Sequence, residues 1–120
     1  MSKYRTVIAY KEYFEDFLNA QTGKVQAKIL QILRIIEEVA IIPKTHLKHI
    51  EGTDGLFELR VIFGGDAFRV FCFFDAGKLV ILLSGFQKKT KKTPKSEIAK
   101  ALKLMKEYYR EKEDTLNNNN

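Results

Sequence analysis

The sequence predicts an α+β fold in which helices pack against a small antiparallel sheet, and three observations support this. Apolar residues recur at helical spacing before Pro43, whereas residues from 56 onward alternate with the period of a strand. Gly64 and Gly65 separate two such alternating segments, which is typical of a tight β-hairpin. Thr93 and Pro94 then mark the start of a further helix.

The N-terminal half is predicted to contain one strand and a helical hairpin. Residues 4–10 are rich in β-forming side chains and predict a short strand. The apolar stripe of a first helix ends at Thr22 and Gly23, and a second helix runs from about Lys24 to Pro43. Two helices joined by such a short break are expected to cover one face of a sheet. The stripes consist of Tyr10, Phe14, Phe17 and Leu18, then Val25, Ile29, Ile32, Ile36 and Val39.

The C-terminal half is predicted to form an antiparallel meander of three strands and a last helix. Thr93 is the expected N-cap of that helix, and Pro94 suits its first position. The predicted strands are residues 56–63, 66–74 and 79–86.

Composition indicates one domain and no membrane partner. Of the 120 residues 45% are hydrophobic, so we expect a single domain over residues 1–112 and a disordered polar tail over 113–120. The apolar runs are too short to cross a bilayer, and the N-terminus shows no signal-peptide pattern. The lone Cys72 fits the reducing cytoplasm. Its phenylalanine neighbours predict a small buried hydrophobe and not a nucleophile.

Positive charge is concentrated in the last third of the chain. The net charge is +6; residues 1–77 carry ten charges of each sign, whereas residues 78–120 carry eleven basic and five acidic side chains. Four lysines fall within residues 88–92. This segregation favours a polyanionic partner, although a solvated lysine face has the same composition.

The strand pattern predicts a pair of arginines on one face of the sheet. If Gly64 and Gly65 form a two-residue turn, Arg60 lies directly opposite Arg69, and Glu58 shares their face. Two opposed arginines repel each other, and such a pair makes sense if an anion such as phosphate bridges it.

Two alternatives to this anion site remain open in the sequence. Glu58 could pair with Arg60 or Arg69 as an ordinary surface ion pair. The turn could also be longer and include Asp66, which would change the register.

The sequence predicts neither a metal site nor a cofactor. His46 and His49 have a suggestive spacing, but no cysteine or acidic cluster completes a set of ligands, so we interpret them as surface histidines. Phe86 could stack on a base, although such a residue more often closes the end of a core.

Four motifs in residues 55–101 resemble the RelE/ParE superfamily of bacterial toxins, closest to its HigB-like, phage-derived branch. They occur in the order and spacing of that branch, and the preceding strand and helical hairpin agree with a RelE-like fold. The motifs are LFELR at 56–60, FRV at 68–70, GFQKKT at 85–90 and TPKSEIAKA at 93–101.

The resemblance implies a toxin of a type II toxin–antitoxin system. Enzymatic members enter the ribosome and cleave mRNA by attack of a ribose 2′-OH on the adjacent phosphate. ParE-like members instead inhibit DNA gyrase without catalysis, and a degenerate, non-toxic relative is a third possibility. The implied partners are the ribosome, mRNA and an antitoxin protein, expected to be of the helix-turn-helix class, that covers the basic surface.

The resemblance also implies roles for individual residues. Arg60 and Arg69 match basic positions of the family, and Lys88 or Lys89 lies where the family places a basic group after its last strand. Glu58 could act as the base. The remaining candidates, as RNA-binding residues, are Lys91, Lys92 and Phe86. Some relatives use a tyrosine or histidine past the last strand, but Tyr108 and Tyr109 lie too far along the helix to be assumed equivalent.

Overall fold

A computed structural model describes residues 3–118 and shows a five-stranded sheet between two helical layers. The strand order is β1-β5-β4-β3-β2. This confirms the predicted α+β fold, with its N-terminal strand, helical hairpin, meander and C-terminal helix. In chain order the elements are β1 Thr6–Ala9, α1 Tyr13–Asn19, α2 Gly23–Glu38, β2 Leu47–His49, β3 Phe57–Phe63, β4 Asp66–Asp75, β5 Leu79–Lys88 and α3 Lys95–Asn118.

The sheet extends beyond the predicted meander at both edges. Strands β3, β4 and β5 pair antiparallel in sequence order, as expected. Strand β1 joins the free edge of β5 in parallel, and β2 pairs antiparallel with β3. Because β2 has three residues, it is too short to produce a recognisable alternation, and the sequence predicted no strand there.

The hairpin between β3 and β4 has the predicted two-residue turn. Of its two central residues Gly64 has a positive φ, 61°, as in a type II′ turn with glycine at the first central position. The resulting register places Arg60 opposite Arg69 and Phe63 opposite Asp66. The longer-turn alternative is therefore wrong.

Each face of the sheet has its own hydrophobic core. Helices α1 and α2 cover one face, where Phe17, Ile29 and Ile36 pack against Leu59, Val61, Val70 and Leu82. Helix α3 covers the opposite face, where Ala101 and Leu104 pack against Phe71, Phe73, Ile81 and Leu83. No helix within residues 3–118 has both the length and the apolar character needed to cross a membrane.

A β-bulge in β5 changes which of its side chains face α3. Cys72 pairs with Leu82, but Val70 pairs with Gly85, so β5 has one extra residue in this interval. The β5 residues after the bulge therefore face the side of the sheet opposite to the one that an unbroken alternation would give them. Phe86 and Lys88 consequently lie on the α3 face, opposite Arg69 and Ala67 of β4.

Beneath the bulge, Gly85 leaves room for helix α1. A Cβ built on Gly85 would lie 2.5 Å from Cδ2 of Phe17, whose ring packs in the α1/α2 core. The absence of a side chain at position 85 thus allows α1 to pack directly on β5.

We expect Gly85→Ala to destabilise the fold by about 1–3 kcal/mol, because the Phe17 ring must move out of a packed core. Chemical denaturation monitored by circular dichroism measures this difference. Gly23→Ala is the matched control: a Cβ on this first residue of α2 meets no atom within 4 Å, and alanine there should leave stability unchanged or slightly raised. Equal stability of the two variants would contradict the proposed packing.

Helix α3 is longer than the sequence suggested. It continues through residues 113–118, where we had expected a disordered tail; residues 119 and 120 of that tail lie outside the described residues. No proline or glycine interrupts the chain after Pro94, and residues 111–114 favour helix. Residues 113–118 are nevertheless exposed.

Polar contacts attach the second half of α3 to the end of the sheet where β4 turns into β5. The buried carboxylate of Asp75 accepts hydrogen bonds from the Tyr108 hydroxyl at 2.7 Å and from Nζ of Lys112 at 2.9 Å. The lysine, and next the tyrosine, lower the pKa of Asp75. Directly after β1, the hydroxyl of Tyr10 lies within hydrogen-bond distance of a carboxylate oxygen of Glu107, at 2.8 Å, and of Glu111, at 2.7 Å.

We expect Asp75 to make the attachment of α3 sensitive to acid. Because its pKa is lowered in the folded state, its stabilising contribution is complete above its ordinary pKa of about 3.9 and is lost as pH falls through the lowered value. The stability difference between the wild type and Asp75→Asn should therefore be constant above about pH 5 and shrink as the pH falls below about 4. Asp114→Asn, at an exposed position of the same helix, is the control. A pH-independent difference would contradict this role.

Candidate functional site

A basic cleft opens on the sheet where α3 no longer covers it. Helix α3 begins at Lys95. Residues of β2, β3 and β5, together with the segment that precedes α3, surround an open cavity of about 460 Å³. Its charged lining residues are Lys48, Glu51, Glu58, Arg60, Lys88, Lys91 and Lys92. Five of these seven are cationic, so the cleft suits an anionic ligand.

The predicted arginine pair lies at the cleft, with Arg60 of β3 in its lining and Arg69 of β4 buried beside Glu58. Arg69 is only 3% exposed, and its Nη1 donates to the carbonyl of Phe68 at 3.1 Å. Its Nε lies 3.6 Å from Oε2 of Glu58 and has no hydrogen-bond partner. Burial lowers the pKa of Arg69, Glu58 opposes that shift, and Arg60 adds to it. Arg60 is half-buried and lines the cleft.

Glu58 is a buried link between the sheet and the start of α3. Its side chain faces Arg69, and Thr93 donates a hydrogen bond to its Oε2 at 3.2 Å. The alternative of an ion pair between Glu58 and Arg69 is therefore correct, but the pair is buried and not at the surface, since Glu58 is only 4% exposed. The Thr93 hydroxyl therefore bonds to Glu58 instead of acting as the predicted cap, and the carbonyl of Pro94 accepts from the amide of Ile98 at 3.2 Å.

The bulge in β5 distinguishes Lys88 from Lys89. Lys88 lines the cleft with Glu58 and Arg60, whereas Lys89 is exposed and lines only the adjoining cavity beside the Gly65 turn. The pKa of Lys88 is lowered, mainly by burial and next by Arg69, and Glu58 partly offsets this effect. Arg60 and Lys48 lower it further.

The remaining candidates divide between the cleft and the core. Lys91 and Lys92 are exposed and line the cleft. Phe86 packs in the core beneath α3 and stacks on Phe71, with ring centroids 5.6 Å apart. It therefore closes the end of the core, the second of the two roles considered for it. Sequence reasoning missed Lys48, which lies opposite Glu58 in the register of β2.

Tyr108 and Cys72 lie away from the cleft and contribute to the packing of the fold. Tyr108 bonds to Asp75 at the far end of the sheet, consistent with its exclusion from the site. Cys72 is fully buried, and burial raises its pKa to about 12. Within residues 3–118, no group of histidine, cysteine and acidic side chains is arranged to hold a metal ion.

The fold is that of a RelE protein. The chain superposes on the crystal structure of an archaeal RelE–RelB complex from Pyrococcus horikoshii OT3 with a TM-score of 0.53 and 23% identity. The alignment covers 74% of this chain and 98% of the other.

A family model described as phage-derived protein Gp49-like (DUF891) matches residues 16–106. The chain therefore belongs to this phage-derived family, and its resemblance to the phage-derived branch of the RelE/ParE superfamily is confirmed. No curated protein matches the chain significantly.

We expect Glu58→Ala to lower the free energy of unfolding by about 3 kcal/mol, because it leaves Arg69 buried without its counter-charge. Glu51→Ala, at an exposed position beside the same cleft, should change it by less than about 0.5 kcal/mol. Urea denaturation measures both values. In Glu58→Ala/Arg69→Met the unpaired charge is also removed, and stability should partly return; a double variant less stable than Glu58→Ala would contradict the buried pair.

Proposed function

We propose that this protein is the toxin of a type II toxin–antitoxin system and cleaves mRNA on the ribosome. The observation that carries the proposal is the open cleft that Arg60 and Lys88 line together, with Arg69 buried directly opposite Arg60 on the next strand. Its support is the membership of the Gp49-like family and the RelE fold.

The proposed reaction forms a bond from a ribose 2′-oxygen to the adjacent phosphorus and breaks the bond from phosphorus to the 5′-oxygen of the next nucleotide. The products are a 2′,3′-cyclic phosphate and a 5′-hydroxyl end. Negative charge accumulates on the phosphate oxygens in the transition state, and preorganised cations stabilise it there. Arg60 would contact the phosphate directly, while Arg69 strengthens the positive potential beneath it.

Two protons must move in this reaction, one from the 2′-OH and one to the leaving oxygen. Glu58 was the first candidate for the base, but its carboxylate is buried between Arg69 and Thr93. We therefore assign Glu58 the role of positioning Arg69. Lys88 lines the cleft, and its lowered pKa makes its ammonium group a stronger acid, so we assign to Lys88 the transfer of a proton to the leaving 5′-oxygen. The proton of the 2′-OH passes to solvent water in the open cleft.

The proposal includes a protein partner. The solved structure that this chain resembles is a RelE–RelB complex. We propose that an antitoxin protein likewise binds this chain and covers its basic cleft until the toxin is released. The ribosome and mRNA would then be its targets in the cytoplasm.

Primer extension on mRNA from an in vitro translation reaction tests the mechanism. Wild-type protein should give discrete cuts, and Arg60→Gln and Lys88→Met should each lower the cleavage rate by about 10²-fold through loss of transition-state stabilisation or proton transfer. Lys78→Ala, at the exposed turn between β4 and β5, should cut at the wild-type rate. Unchanged melting temperatures would show that the variants remain folded.

The same assay separates the alternatives. Intact mRNA with wild-type protein would contradict the proposal, and inhibition of DNA supercoiling by gyrase would then support the ParE-like mechanism. A Lys89→Ala variant that loses more activity than Lys88→Met would overturn the assignment of proton transfer to Lys88.

A further inference from the structure

The basic surface continues from the cleft across the edge strand β2. A second cavity, of about 550 Å³, adjoins the cleft and shares Lys48, His49, Glu51 and Arg60 with it. It extends the surface to Lys44, in the segment that precedes β2. Lys44 and Lys48 are both exposed.

The register shows that the basic residues follow a diagonal across the sheet. Lys48 of β2 lies level with Glu58, Arg60 and Arg69 form the next row, and Lys88 of β5 is level with Ala67 and Ile62. With strands about 4.8 Å apart and about 3.4 Å per residue along each strand, this diagonal is roughly 20 Å long. A track of this length is wider than one phosphate group and can follow the backbone of several nucleotides.

The cations of this track have no acidic partners in the described part of the chain. Ion-pair contacts within residues 3–118 involve the basic groups of Lys3, Lys11, Arg69 and Lys112. None involves the track, which consists of Lys44, Lys48, Arg60, Lys88, Lys91 and Lys92. Of the nearby carboxylates, Glu58 faces Arg69, which leaves Glu51. Such an excess of like charge favours a polyanionic strand.

We propose that Lys44 and Lys48 form a second phosphate-binding segment that holds the RNA strand where it crosses the β2 edge. Lys91 and Lys92, which line the cleft with Arg60, hold the same strand where it lies in the cleft. This inference rests on the proposed function for the identity of the strand as substrate, but it assigns residues and a path across the β2 edge that the cleavage reaction alone does not require.

Binding of a 2′-O-methyl RNA oligonucleotide tests the segment without cleavage, because the probe has no 2′-OH. Fluorescence anisotropy over a series of salt concentrations gives the slope of log K against log salt, which is about 0.7 per phosphate contact for a single strand. Lys44→Ala/Lys48→Ala should weaken binding and reduce the slope by about 1.4, for two contacts. Lys44→Arg/Lys48→Arg should keep the wild-type slope.

The matched control is Lys24→Ala/Lys28→Ala on α2, which packs against the other face of the sheet and should leave affinity and slope unchanged. A wild-type slope in the Lys44/Lys48 alanine variant would overturn the inference, as would weaker binding of the antitoxin with unchanged binding of RNA. The ribosome assay distinguishes the two proposals: wild-type protein that never cuts mRNA contradicts the proposed function, whereas cutting with an unchanged slope contradicts only the second segment.

Discussion

The site depends on the register that the turn at Gly64 and Gly65 imposes on β3 and β4. A shift of one residue would send alternate side chains to the opposite face and separate Glu58 and Arg60 from Arg69. The register instead brings two cations into direct opposition, which is unfavourable by itself. Burial of Glu58 beside Arg69 offsets the repulsion within the protein and leaves Arg60 directed at the cleft. The hairpin thus concentrates positive charge at a defined place.

Much of this arrangement could be predicted because it depends on local rules. The period-two pattern of β3 and the glycine pair were sufficient to place Arg60 opposite Arg69. The missing features depend on tertiary structure. Strand β2 is too short to show a pattern, so Lys48 was overlooked. Gly85 marks the position of the bulge that turns Lys88 toward the cleft, but a glycine in a strand does not by itself show how the register changes. Thr93 was predicted to cap the last helix, but its hydroxyl bonds to Glu58 on β3, a contact that depends on tertiary structure.

The two halves of α3 serve different ends of the molecule. Its first turns lie beside the cleft, and Thr93 ties the preceding loop to Glu58. Its later turns are fastened through Tyr108 and Lys112 to Asp75 at the opposite end of the sheet. The polar contacts at both ends orient the helix, while Ala101 and Leu104 supply the apolar contact between them. The cleft is therefore positioned by contacts that extend along the entire sheet.

The parallel pairing of β1 with β5 has a consequence for the order of folding. Thr6 pairs with Leu79, so more than half of the chain must be synthesised before the first strand can find its partner. The meander from β3 to β5 is formed by neighbouring segments and has a much smaller loop-closure cost. We expect the sheet that carries the arginines to assemble from these local contacts, with the N-terminal strand added last. A nascent chain would then display its cationic face before its sheet is complete.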